Sequence, residues 1–325
     1  MNHTLLLATS HGLIVCQRAE DAWREIRRGL SGQRVTSVIA RDGVILAGTR
    51  EGVYRSDDMG ETWQPSNQGL SVRHIRWLAY HPDHSDFELA GTEPAAIFIS
   101  RDGARTWREC PEVAQLREEH GWRLPYSPAA GCVRGFAIKG SNAYAAVEDG
   151  CVLVSEDGGE SWRLAEGSRG EPDHAPREGY VHSDVHSIAL HPASPQLVYA
   201  PTGGGFYRSM DGGETWDLRC PRCYSRAVWV DPADSEHLIL GPADGVDRNG
   251  RIEESHDGGH TWQPASHNLD TPWPSHMVER FEQVGEDLFA VLSNGELLAA
   301  PLRSLTWQRV LPDIRGVNAV TSMKL

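Results

Sequence analysis

The sequence predicts an all-β fold, a seven-bladed propeller of four-stranded antiparallel blades. Three observations predict it: a recurring eight-residue phrase, the spacing of its copies, and chain ends that complete one another. The phrase Ser-x-Asp-x-Gly-x-Thr-Trp stands at residues 56–63, 100–107 (Ala104 in the glycine place), 155–162 (Ser161 for Thr), 209–216 and 255–262, with worn copies at 16–23 and 300–307. The closing tryptophans 23, 63, 107, 162, 216, 262 and 307 are 40, 44, 55, 54, 46 and 45 residues apart, the length of a propeller blade. Residues 3–26 read as three strands without an inner partner, and residues 317–322 read as that partner. Their pairing closes the ring and removes the edges an open sheet would expose.

Each element has a local reason. In the phrase, a short aspartate folds its carboxylate onto nearby backbone N–H groups, glycine supplies φ > 0, and Thr-Trp opens the next strand with a β-branched residue and a large ring. Blade three runs through an inner strand at 75–80, a turn at His81-Pro82, strands near 87–91 and at 97–100, and an outer strand from Thr106. Blade five repeats the order at 185–190, His191-Pro192, 197–200, 206–209 and 215 onward, and Asp231-Pro232 marks the same turn in blade six. His81 and His191 are therefore read as turn residues with a structural role. The repeat spans 1–325 as a single propeller domain, with insertions at 110–131 and 165–183 that account for the two long intervals and wall one side of the rim. Trp122 and Trp273 lie in such loops, where they either stack on a sugar or pack.

The phrase is the Asp box, and the chain resembles the Asp-box (BNR-repeat) β-propellers, which include sialidases, xyloglucanases, sortilin-type receptors and a photosystem II assembly factor. The resemblance covers nearly the whole chain and implies the fold. It says little of function, because the box lies at the blade periphery, away from the active sites of such proteins. Sialidases hold a carboxylate with an arginine triad, but their Phe/Tyr-Arg-Ile-Pro motif is absent here and they have six blades, so none of their catalytic residues is carried over.

Composition limits the partners. The 325 residues carry a formal net charge of −14, which disfavours nucleic acid and anionic membrane. Residues 5–8, Leu-Leu-Leu-Ala, are too short for a signal segment and fit a strand, so the sequence points to the cytoplasm. The six cysteines show no disulfide-framework spacing, and Cys220-Pro-Arg-Cys223 is a lone pair read as ordinary thiols.

Aligning the seven inner strands gives a column that is polar in every blade: Thr36, Arg76, Arg134, His186, Arg226, Glu279 and Asn318. By strand alternation, Arg34, His74, Cys132, Asp184, Tyr224, Met277 and Gly316 share its orientation one step nearer the mouth. Two explanations fit Arg76, Arg134 and Arg226. They are neutralised by Glu279, Asp184, Glu93 and Glu148, or they bind a carboxylate, phosphate or sulfate through their forked guanidinium groups, with Asn318 assisting. A divalent transition metal held by His74, His182, Asp184 and His186 is a third candidate, although in an extended strand residues 182 and 186 stand ~13 Å apart.

Two classes of function follow. One is an enzyme of hydrolase or lyase type, acting on a small anionic or carbohydrate-like ligand in the mouth. His186 would be its acid/base, with Tyr224 or Glu279 assisting. The other is a non-catalytic scaffold for a protein partner.

Overall fold

The computed structural model describes residues 3–19, 22–124, 131–172 and 174–324. The repeated phrase forms the same turn in all five blades that keep it. In blade two, Asp58 Oδ1 accepts from the Thr62 N–H at 2.9 Å and Thr62 Oγ1 donates to Asp58 Oδ2 at 2.5 Å. Ser56 Oγ donates to Asp58 at 2.7 Å and accepts from the Gly60 N–H at 2.8 Å, with Gly60 at φ 86°. Asp102, Asp157, Asp211 and Asp257 repeat these bonds. Three of the closing tryptophans reach the preceding blade: Trp107 Nε1 donates to Ser66 O, Trp262 to Arg219 O and Trp307 to Ala265 O.

The Asp211 carboxyl titrates below its ordinary value. Burial opposes this, but the bonds from Thr215 and Ser209 outweigh it. A depressed carboxyl stabilises the fold above its unfolded pKa, and the contribution is lost as pH falls through the folded value. Asp211→Ala is expected to cost on the order of 1–3 kcal/mol at neutral pH, because turn N–H groups lose their acceptor. The difference from wild type should shrink in acid. Chemical denaturation at pH 7 and pH 3 checks both parts.

Seven four-stranded antiparallel sheets make up the ring. Blade one is composite. Its inner strand Val317–Lys324 pairs with His3–Thr9, followed by Gly12–Ala19 and Ala22–Gly29, which is the predicted closure. Successive residues of His3–Thr9 face opposite neighbours. Leu5 and Leu7 pack with Phe289 and Val291 of blade seven, and Leu6 and Ala8 pack with Val38 and Ala47 of blade two. Each blade is covered on both faces, so its middle strands read as continuous apolar runs.

Blade five departs from expectation. Its inner strand is Ala189–His191 rather than 185–190, with a single bridge from Val185 to Thr202 above it. His81 and His191 are buried at the inner turns, and His81 stacks on Phe87. The first insertion carries a helix, Pro111–His120, capped by Gly121 at φ 64°; residues 125–130 of that insertion lie outside the described residues. The two insertions join, because Trp122 Nε1 donates to Gly170 O at 2.6 Å. Trp122 is fully buried and Trp273 nearly so, which makes both packing residues rather than sugar platforms. Among the described residues no helix is long and apolar enough to cross a membrane.

Candidate functional site

Six of the seven column residues, all but His186, line the channel, through a device that strand alternation does not foresee. Six of the seven inner strands carry a register shift that skips the column residue: Thr36, Arg76, Arg134, Arg226, Glu279 and Asn318. A bulge leaves its extra residue unpaired and bends the strand, so consecutive residues can turn toward one side. Glu279 and Arg280 both reach the channel for this reason. Three column residues stitch blade to blade. Asn318 Nδ2 donates to Val35 O at 2.7 Å, Thr36 Oγ1 to Ile75 O at 2.7 Å, and His186 Nδ1 to Ser225 O at 2.9 Å. Each acceptor immediately precedes the column residue of the next blade, which gives Asn318 a structural bond beside any role toward a ligand.

The mouth is a polar cavity of about 330 Å³, lined among others by Arg34, Thr36, Arg50, His74, Arg76, Arg134, Glu148, Arg226, Glu279, Arg280 and Asn318. The three expected arginines all line it, and each has a carboxylate. Arg76 lies 3.3 Å from Glu93, Arg134 lies 2.8 Å from Glu148 and 3.6 Å from Glu279, and Arg226 pairs with Glu279. Burial works against ionisation of Glu279, but Arg226 and Arg134 overcome it and hold the carboxyl below its usual range. That keeps Glu279 an ion-pair acceptor. Asp184, expected among the neutralising acids, pairs with His186 instead.

The cations left over are others. Among the described residues neither Arg34 nor Arg50 pairs with a carboxylate, and Arg76 lies close by. Burial, then repulsion from Arg50 and Arg76, lowers the Arg34 pKa. Burial also lowers the His74 pKa; Glu93 opposes, and Arg76, Arg50 and Arg34 add to the fall. Arg280 crosses the channel floor, its guanidinium 4.1 Å over the Trp77 ring and donating to Arg134 O at 2.6 Å. Burial and then Arg134 bring its pKa down to about 9. Arg50 sits on the turn between the second and third strands of blade two. No column in the repeat marks it, and the sequence reading missed it.

The wall at Glu148 is backed by further acidic groups. His186 is fully buried against Asp184 and Tyr224, and this group adjoins the cavity through Glu148, which lines it. With Nδ1 donating to a carbonyl, its Nε2 faces both Asp184 Oδ1 and Tyr224 Oη at 3.0 Å. The charged ring donates to Asp184, and the neutral ring accepts from Tyr224, whose oxygen in turn accepts from Arg226 at 3.2 Å. Burial raises the Tyr224 phenol to about 12. Asp149, also unmarked by the repeat, is buried 3.7 Å from His174 Nε2. Burial, then Asp184, lifts its carboxyl to about 6, whereas His186 outweighs burial at Asp184 and holds that carboxyl down. Gly203 and Gly204 make room for this wall, since a Cβ on Gly203 would stand 2.2 Å from Asp184 Oδ2 and one on Gly204 2.2 Å from His182 Cδ2.

The four residues expected to hold a metal do not gather. His74 lies 3.7 Å from Glu93 across the mouth, and His182 Nδ1 accepts from the Asp184 N–H while its ring lies against His174. Asp184 and His186 come together with Glu148, whose donor atom falls within 4.8 Å of theirs. Glu148 also accepts from Arg134 and from the Cys132 thiol, which a metal ion would have to displace. Cys132 and Met277, expected near the mouth, are fully buried.

Glu282 lies at the other end of the channel, where Thr321 Oγ1 approaches at 3.4 Å. Burial raises its carboxyl to about 7. A raised carboxyl binds its proton more tightly in the folded state, so stability falls as pH rises from its unfolded value through about 7. Glu282→Gln is expected to raise the melting temperature at pH 8 and leave it unchanged at pH 4.5. Equal shifts at both would show that the carboxyl titrates normally.

No protein-family model matches the chain. Among curated proteins it is 26% identical over 211 residues to the oligoxyloglucan-reducing end-specific xyloglucanase of Emericella nidulans, covering 59% of this chain and 24% of that one. The chain thus spans about a quarter of that relative's length. The ring superposes on an ancestral GH74 enzyme with a TM-score of 0.64 at 18% identity, over 94% of this chain and 40% of that one. The fold is the xyloglucanase-like propeller. It is shared with YCF48, solved bound to D1 peptide, at a TM-score of 0.62 and 16% identity over 96% of this chain and 89% of that one. YCF48 from Cyanidioschyzon merolae gives 0.62 and 15%, over 92% and 96%. These structural likenesses, all below one residue in five identical, carry the fold alone.

Proposed function

We propose that the mouth binds a small anionic or carbohydrate-like ligand, with its negative group on Arg34, Arg50 and Arg76 and its other end toward Asp149, Asp184 and Glu148. The observation that carries this reading is the pair Arg34 and Arg50, which line the cavity without a carboxylate partner among the described residues. Clustered guanidinium groups repel and lose hydration, and a bound anion relieves both costs. The acidic wall supports hydrolase or lyase chemistry. Asp149 and Asp184 are neighbouring carboxyls whose environments push their affinities for protons apart, the pattern of an acid and a base. In hydrolysis Asp149 donates its proton to the departing oxygen while Asp184 takes one from the attacking water. His186 and Tyr224 position Asp184. Similarity to xyloglucanases supports a carbohydrate. The six free, buried thiols suit a reducing cytoplasm.

Calorimetric titration with uronate-bearing and neutral oligosaccharides tests the reading. Binding of the acidic series alone is expected, and Asp184→Asn should abolish turnover while preserving that binding. A second reading, a scaffold for a peptide, is favoured by the match in length to YCF48, one of whose structures holds a peptide. Binding of an acidic peptide with no affinity for acidic sugars would select it.

A further inference from the structure

We propose that blade six carries a transition-metal site on the face of the ring opposite the mouth, made by His237, Glu254 and His256 with Asp231 behind them. Strand pairing builds it. Asp234–Ala243 pairs antiparallel with Glu253–Ser255, Leu238 against Ser255 and Ile239 against Glu254. That register sets His256 across from His237 and puts both on the side of the sheet that carries Glu254. The two imidazole rings lie 4.5 Å apart, 13° from parallel.

Glu254 Oε1 is the common vertex, 2.8 Å from His237 Nε2 and 3.5 Å from His256 Nε2, and all three donor atoms fall within 4.8 Å of one another. Bonds of 2.0–2.1 Å to a tetrahedral zinc ion separate its donors by about 3.3 Å, between these two distances. The support around the ligands is also in place. His237 Nδ1 is held by Asp231 Oδ2 at 2.9 Å, and the other oxygen of Asp231 accepts from the Ala233 N–H at 2.9 Å. A carboxylate on the far nitrogen of a ligating histidine fixes the ring so that Nε2 faces the ion. Trp229 walls the inner side, its ring edge-on to His237 at 5.4 Å. The His256 side chain is 57% exposed, so an ion can enter and keep a water as fourth ligand. Two neutral imidazoles and a carboxylate suit zinc or a neighbouring divalent ion rather than calcium or magnesium. The ion displaces the proton shared by His237 and Glu254.

Tag-free protein, stripped with a chelator, should bind one zinc ion per chain by calorimetry. Cobalt(II) in its place should give the intense visible bands of a tetrahedral centre. His237→Ala and His256→Ala are each expected to abolish this binding, and Asp231→Asn to weaken it by 10-fold or more. Because His256 is exposed, its variant keeps the test valid even if His237→Ala misfolds. His11→Ala and His186→Ala should bind zinc as wild type does. Absence of stoichiometric zinc, unchanged affinity in His256→Ala, or loss of zinc in His186→Ala would each overturn the site.

Discussion

Truncation after Gly316 is expected to leave no stable monomer. The strand it removes pairs with His3–Thr9 along nearly its whole length. Val317 and Val320 pack into the cluster shared with blade seven, and Ala319 and Met323 into the one shared with blade two. Burying Val317, Val320 and Met323 contributes on the order of 5–8 kcal/mol, against a total stability of about 5–15 kcal/mol for a folded domain. The bond from Asn318 to Val35 O goes with them. What remains of blade one exposes His3–Thr9 as an unpaired apolar edge, a template for aggregation. Size-exclusion chromatography and thermal unfolding check this. A soluble truncated protein that melts cooperatively near the wild-type temperature would show that the ring does not depend on its closing strand.

The second large effect separates two kinds of arginine. Arg226→Ala should lower stability by about 3 kcal/mol, since it takes one of two guanidinium partners from Glu279 in a largely buried setting; channel water keeps the cost at the low end of the range for broken buried pairs. Arg34→Ala and Arg50→Ala should leave stability equal or slightly higher, because each removes a cation from among like charges. Urea denaturation of the three variants decides it. Equal losses in all three would mean that Arg34 and Arg50 are structural.

The ring was legible in the sequence because its periodic parts are physically constrained. Asp58 and its four equivalents must meet the same N–H groups, and residues 317–322 had one vacancy to fill. The polar column was legible for the same reason, since Thr36, His186 and Asn318 make the same stitch to the next blade. Alternation failed at the bulges, where Arg280 turns into the channel beside Glu279. It failed again at turns between second and third strands, where Arg50 and Asp149 follow no repeat. Convergence of Arg76, Arg134 and Arg226 was foreseen, and so were three of their four suggested counterions. What strand register could not supply was the division of charge, with these three arginines paired and Arg34 and Arg50 without a carboxylate partner among the described residues. His186 lay in the right column, but its depth behind Asp184 and Tyr224 depends on the shortened inner strand of blade five, which no local pattern announces.

The proposed anion site in the mouth takes its grip from Arg34 and Arg50. A thermal-shift titration with sulfate, phosphate and citrate at constant ionic strength tests it most directly. A ligand that binds the folded state alone stabilises it by about 2.7 kcal/mol at a hundredfold excess over Kd. At least one of these anions is expected to raise the wild-type melting temperature in a saturable way. The shift should disappear in the Arg34→Ala/Arg50→Ala double variant, persist in Arg55→Ala, whose guanidinium pairs with Asp57 on the periphery, and return in part with lysine at 34 and 50. A wild type that none of the three anions stabilises, or a double variant that responds as the wild type does, would contradict it.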